Sequence, residues 1–129
     1  MKYMPPWIPK DAKWYLADIV VEITVQGAEQ NSIESNLKLV RADSPEEAYE
    51  KAMLLGKDEE ISYDNTDGAK VTFRFRGLRD LYVIYDELEH GAEILYWKYD
   101  GLSEDAVTKM ITPKEQLSVF APREIADSD

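Results

Sequence analysis

Arg74, Arg76 and Arg79 stand close together in the stretch Lys70-Val71-Thr72-Phe73-Arg74-Phe75-Arg76-Gly77-Leu78-Arg79. Apolar and polar residues alternate with period two over its first part, the pattern of a strand with one buried and one wet face. Arg74 and Arg76 would then project from the same side about 6–7 Å apart, a spacing that lets two guanidinium groups grip phosphate or carboxylate oxygens. Residues 70–79 hold four of the chain's 15 cations and none of its 26 acids. Tyr82 and Glu93 complete a candidate binding set with Arg74, Arg76 and Arg79, a pocket beside a sheet that could hold a small ligand. Aromatic side chains beside arginines also suit the stacking of single-stranded bases, but a formal net charge of −11 opposes the phosphate attraction that dominates such binding. A simpler arrangement competes with both. Asp18 and Glu22 fall on the less apolar side of an upstream strand, and opposite charges across a sheet contribute a few tenths to about 1 kcal/mol each. That cross-strand charge ladder is the favoured reading of the basic strand.

The other reactive residue types are sparse. The single histidine, His90, lies in Glu87-Leu88-Glu89-His90-Gly91. Flanking carboxylates would suit a general base or a metal ligand, yet no second anchor stands at a recognisable spacing, so it reads as a solvated turn residue. Asp86, Glu87, Glu89 and Glu93 could in principle take Mg²⁺ or Ca²⁺, but they lack the spacing of a calcium loop and read as exposed charge. No phosphate-binding loop, dinucleotide fingerprint or His-Glu-x-x-His occurs, and no serine sits in a nucleophile elbow. There is no cysteine, which removes disulfides, thiol nucleophiles and thiolate metal sites. The sequence therefore names no catalytic residue, no metal ligand and no cofactor, and enzyme activity is unsupported.

The elements that must position these residues follow from periodicity. Trp14–Val25 reads as a strand with Tyr15, Ala17, Ile19, Val21, Ile23 and Val25 on one face. Its second face is mixed, which implies partial cover on both sides. Residues 33–41 form its hairpin partner, with Ile33, Ser35, Leu37 and Leu39 on one side and Val40 on the other. A helix begins at Ser44-Pro45-Glu46-Glu47, where Ser44 is the N-cap, Pro45 opens the first turn and Glu47 completes a capping box. Ala48, Ala52 and Leu55 give it an apolar stripe flanked by Tyr49 and Met53, Glu47 and Lys51 form an i,i+4 pair, and Gly56 is expected to stop it. Residues 57–60 read as a charged linker and 61–63 as a short strand. Asn65-Thr66-Asp67-Gly68 is a tight turn into the basic strand. Gly77 should mark a bulge or bend, after which residues 81–85 resume an extended course. Glu89-His90-Gly91 turns the chain, and Glu93–Tyr99 reads as a last long strand. Thr112 should cap a single turn through Glu115, with Leu117, Val119 and Phe120 pinning the C-terminal segment to the core.

The expected fold is α+β in two layers, an antiparallel sheet of about five strands with one main helix packed on one face. Residues 1–13, with Pro5, Pro6 and Pro9, form an arm that cannot be helical. Its Trp7 and Ile8 should dock on the chain's own sheet or on a neighbour. A single domain spans 14–120 and an acidic tail 121–129. The N-terminus lacks the uninterrupted apolar stretch of a signal peptide, and no run approaches the ~20 apolar residues of a membrane span.

Four phrases then point to a family: Trp14-Tyr15-x-Ala17, the helix start Ala42-x-Ser44-x-Glu46-Glu47-Ala48-x-x-x-Ala52, Gly77-Leu78-x-Asp80-Leu81, and Gly91-x-Glu93-Ile94. In this order and spacing, over residues 14–120, the chain resembles the bacterial domain of unknown function family 4288. The resemblance implies a small soluble bacterial protein and carries over no activity and no catalytic residue. Acidic charge, aromatic content and missing catalytic signatures together point to a non-enzymatic protein-interaction module of a bacterial cytoplasm. It would bind a basic partner, for which an immunity or antitoxin role is one form, with a homodimer as a further possibility. A small-ligand binder or enzyme using the Arg/Tyr/Glu set is the alternative, and a single-stranded nucleic-acid binder the third reading.

Overall fold

The computed structural model describes residues 8–121 and divides into two compact units, one ending at Leu95 and one beginning at Tyr96. The first holds β1 (Trp14–Val25), β2 (Ser32–Arg41), α1 (Pro45–Asp58), β3 (Ile61–Asp64) and β4 (Lys70–Val83). The four strands make one antiparallel sheet in the order β2-β1-β4-β3. This is the expected α+β class, with four strands rather than five. Among the described residues, Glu93–Tyr99 is not a strand. Its residues alternate as a strand should, but strand preference is a fit to a neighbouring pleated surface, and this segment lines up with no strand.

β1 is the central strand, and its inner alternate builds the core. Tyr15, Ala17, Ile19 and Val21 are buried together with Val40, Ala42, Ala48 and Ala52. α1 lies over this face, mostly on β4 and β1. Ser44 caps it as expected, its Oγ accepting from the Glu47 N–H at 3.1 Å. Glu47 reaches back one residue further than a capping box requires and accepts from the Asp43 N–H at 2.7 Å. Lys51 donates to the Arg41 carbonyl at 2.7 Å, tying the helix to the end of β2.

Gly56 does not stop the helix. It is buried in the last turn, and α1 runs on to Asp58 with Glu59 as C-cap. A Cβ at position 56 would stand 2.3 Å from the Phe75 ring. Glycine is needed there for close approach of helix to sheet rather than for a left-handed cap. Residues 57 and 58 are accordingly helix, not linker.

The Asn65 turn forms as expected. The Asn65 side chain accepts from the N–H groups of Asp67 and Ala69, and Gly68 takes φ +79°. β4 then runs unbroken from Lys70 to Val83, where the sequence suggests two pieces. Its register against β1 shifts twice, between Val21 and Val20 and between Ile19 and Asp18. Each shift leaves one β4 residue without a β1 partner, first Arg76 and then Arg79, as in a β-bulge. Gly77, between them, has φ +137°. The pair of shifts lets Phe73, Phe75, Leu78, Leu81 and Val83 all pack against the core.

In the second unit, Glu104–Met110 forms the short helix α2, capped by the Ser103 Oγ, which accepts from the Ala106 N–H at 3.1 Å. A second helix is absent from the sequence expectation, although Ser103-Glu104-Asp105 carries a cap and an acidic first turn. The single turn after Thr112 is a 3-10 turn over Lys114–Gln116 without a side-chain cap, because Pro113 and not Thr112 holds the cap position. Leu117, Val119 and Phe120 are exposed rather than packed into a core. Among the described residues no helix is long and apolar enough to cross a membrane. Met1–Trp7 and the tail from Pro122 lie outside the described residues, so Trp7 and most of the expected arm are not placed.

Candidate functional site

The sheet has an inner face under α1 and an outer face turned away from it. On β4, Arg74 stands directly across from Glu22 of β1. Arg76, displaced by its bulge, reaches the same carboxylate with Nη1 2.6 Å from Glu22 Oε1. Asn31 donates to Glu22 Oε2 at 2.5 Å. The hydrogen bonds from Asn31 and Arg76, in that order, hold the Glu22 carboxyl below its ordinary value, with the Arg74 charge adding to them. The charge ladder thus exists at Glu22. It does not extend to Asp18, which stands across from Asp80 rather than from an arginine.

Asp18 is the buried charged residue of the first unit at 8% exposure, and its Oδ1 accepts no hydrogen bond. Two carboxylates directly opposite each other repel, and a buried acceptor without a donor costs about 1–3 kcal/mol. Tyr82, two residues after Asp80, lies across from Leu16. Burial first, and then its hydrogen bond with Asp80, push its hydroxyl above the ordinary tyrosine value.

The five residues of the sequence-based binding set are therefore distributed. Arg74 and Arg76 gather on Glu22, Tyr82 bonds Asp80 with the Arg79 charge nearby, and Glu93 lies in the loop after β4. The Glu93 N–H donates to Asp86 Oδ2 at 2.9 Å. A cavity of about 440 Å³ sits at the end of the sheet and is lined by other residues, among them Lys13, Trp14, Arg41, Tyr85, Asp86 and Glu87. The Arg41 guanidinium lies 5.8 Å from the Trp14 ring centroid, a cation–π contact at its wall. His90 stands in an exposed turn closed by an Ala92 N–H to Glu89 carbonyl bond. Among the described residues, no three His, Asp or Glu are grouped to hold a metal ion.

The feature that residue types alone did not reveal is β2. Its outer alternate is apolar and its inner alternate polar. Ile33, Leu37 and Leu39 are 57%, 59% and 47% exposed, while Asn36 and Lys38 lie on the side of the core. Val40 alone turns an apolar side chain inward, at 3% exposure. Lys38 pairs there with Glu59 at the end of α1. A groove of about 360 Å³ runs between this strand and α1, lined by Leu39, Val40, Leu54 and Leu55 among others. The signal was present in the sequence, since Ile33, Leu37 and Leu39 share a parity opposite to that of Val40. What it lacked was the position of the helix. An exposed apolar row on an edge strand is a candidate docking surface.

No curated protein and no solved structure matches this chain. The family described as Domain of unknown function (DUF4288) matches residues 14–97, from the start of β1 to two residues beyond the first unit. The match stops short of the 14–120 span suggested by the resemblance, so α2 lies outside it. Over its sheet-and-helix unit, the chain belongs to the DUF4288 family of domains of unknown function.

Proposed function

We propose that this protein is a non-enzymatic interaction module of the bacterial cytoplasm, and that the outer sheet face along β2 docks a basic protein. The observation that carries this reading is the exposed apolar row Ile33, Leu37 and Leu39 beside the acidic pair Asp18 and Asp80. A row of this kind supplies the apolar contact area of a docking face. A lysine or arginine of the partner would pair with the exposed carboxylate of Asp80. The net charge of −11 steers a basic partner toward the molecule and repels nucleic acid.

Capture from native lysate tests the reading, with wild type compared to Leu37→Lys and the prey identified at two salt concentrations. The expected result is a basic protein held by wild type, weakened by salt and lost in Leu37→Lys. Identical prey on both baits, or no specific prey at low salt, overturns it.

A second reading is favoured by the 440 Å³ cavity, whose Trp14 and Arg41, with Asp86 and Glu87, could hold a small ligand of mixed charge. A thermal-shift screen on wild type and Arg41→Ala separates the two. A shift that disappears in Arg41→Ala supports the cavity, and a flat screen counts against it.

A further inference from the structure

The two edges of the sheet differ. β3 has four residues, Ile61–Asp64, with Glu59 and Glu60 immediately before them. Short, acid-flanked edges resist strand addition. β2 has ten residues and is exposed along most of its length. In a chain of net charge −11, this strand carries one acid, Glu34, and two cations, Lys38 and Arg41, so it escapes the general self-repulsion.

We infer that β2 pairs antiparallel with β2 of a second copy, about a two-fold axis at Asn36, joining two sheets edge to edge. Antiparallel pairing about a two-fold perpendicular to the sheet brings residues of equal parity together on one face. With the axis at Asn36, Glu34 faces Lys38 of the second copy, and Lys38 faces Glu34. On the outer face Ile33 meets Leu39 twice, and Leu37 meets Ser35. Moving the axis to Ser35 places Glu34 opposite Asn36, and moving it to Leu37 places Glu34 opposite Val40. Either shift loses both charge pairs. Opposite charges across a strand pair stabilise it and like charges oppose it, so the sequence of β2 selects one register. Lys38 already bonds Glu59 within its own chain, but an ammonium has three donors and can serve both carboxylates. The outer apolar rows of the two copies then become continuous.

Sedimentation of the purified protein should give twice the 14.8 kDa of one chain. Lys38→Glu places acid against acid at both pairs, and Glu34→Lys places cation against cation. Each variant alone should weaken the dimer about tenfold or more. Mixed in equal amounts, the two should form a heterodimer, because each pair is then complementary. Asn36→Cys brings two thiols together on the axis, where facing Cα atoms are about 4.5–5.5 Å apart, within reach of a disulfide. The chain has no other cysteine, so oxidation should yield a covalent dimer, while Ser62→Cys on the β3 edge should not. A monomer at every concentration, two single variants that dimerise like wild type, or no heterodimer on mixing would each overturn the proposal. The outer-face reading is judged separately. A monomeric wild type whose basic prey is still lost in Leu37→Lys sinks self-pairing and leaves docking standing. A dimer whose prey ignores Leu37→Lys does the reverse.

Discussion

The two strands that flank β1 handle their alternate residues in opposite ways. β4 sends every large apolar side chain toward α1, using two register shifts to do so. β2 sends three of its four outward and only Val40 in. The helix explains the contrast. It sits more on β4 and β1 than on β2, which it meets at Lys38, Val40 and Arg41, so the rest of β2 gains nothing from an apolar inner row. A polar inner row, with Lys38 anchored on Glu59, suits an uncovered flank. The exposed outer row of β2 is then not explained by folding of the unit alone, and it is the part of the molecule where a partner would add burial.

Substitutions can break this comparison. Phe75→Ala, under the helix, should cost about 3 kcal/mol, read from urea unfolding. A loss below about 1 kcal/mol would mean that α1 does not depend on β4. Gly56→Ala places a methyl group against the Phe75 ring and should cost about 1–3 kcal/mol, although alanine is the better helix former by about 1 kcal/mol. Combining it with Phe75→Leu should recover part of the loss. Within β2 itself, Val40→Ala should cost about 2 kcal/mol and Leu37→Ala less than about 0.5 kcal/mol in the monomer. Equal costs would erase the distinction between its two rows.

On the outer face, Asp18→Asn removes a buried charge that faces Asp80. It should raise stability by about 1 kcal/mol while weakening capture of a basic partner. A destabilised variant would mean that the carboxylate has a structural role. The smallest effect concerns pH. Glu22 and Asp43 are held below their ordinary values of 4.5 and 3.8, Glu22 by Asn31 and Arg76 and Asp43 by Lys13. Their ionised forms favour the folded state, so this contribution is present above those ordinary values and is lost as pH falls through the lowered folded ones. Acid titration followed by circular dichroism should show the decline. Asn31→Ala and Arg76→Ala should each flatten the part that belongs to Glu22.

The sequence made local structure readable wherever neighbouring residues decide it. The hydroxyl of Ser44, the proline beside it and the Asn65 turn act within a few residues, and all three stand where their chemistry puts them. β1 was legible because its inner alternate is apolar throughout. The errors have another source. Gly56 reads as a helix stop until Phe75, 19 positions on, is known to lie beneath it. Glu93–Tyr99 carries strand residues without a strand to join. Half of the ladder, at Glu22, followed from charge and parity. Asp18 fell opposite Asp80 instead, because two inserted residues moved the register. The open row of β2 needed the placement of α1, which no periodicity contains.

The paired shifts in β4 have a consequence for how this domain can change length. Arg76 and Arg79 have no partner on β1, so losing either one would straighten the strand locally and leave every other pair and face where it is. Losing a partnered residue such as Thr72 would instead slide the register and turn side chains inside out on one side of the cut. Lineages should therefore vary in length at Arg76 and Arg79 and hold the rest of β4 constant.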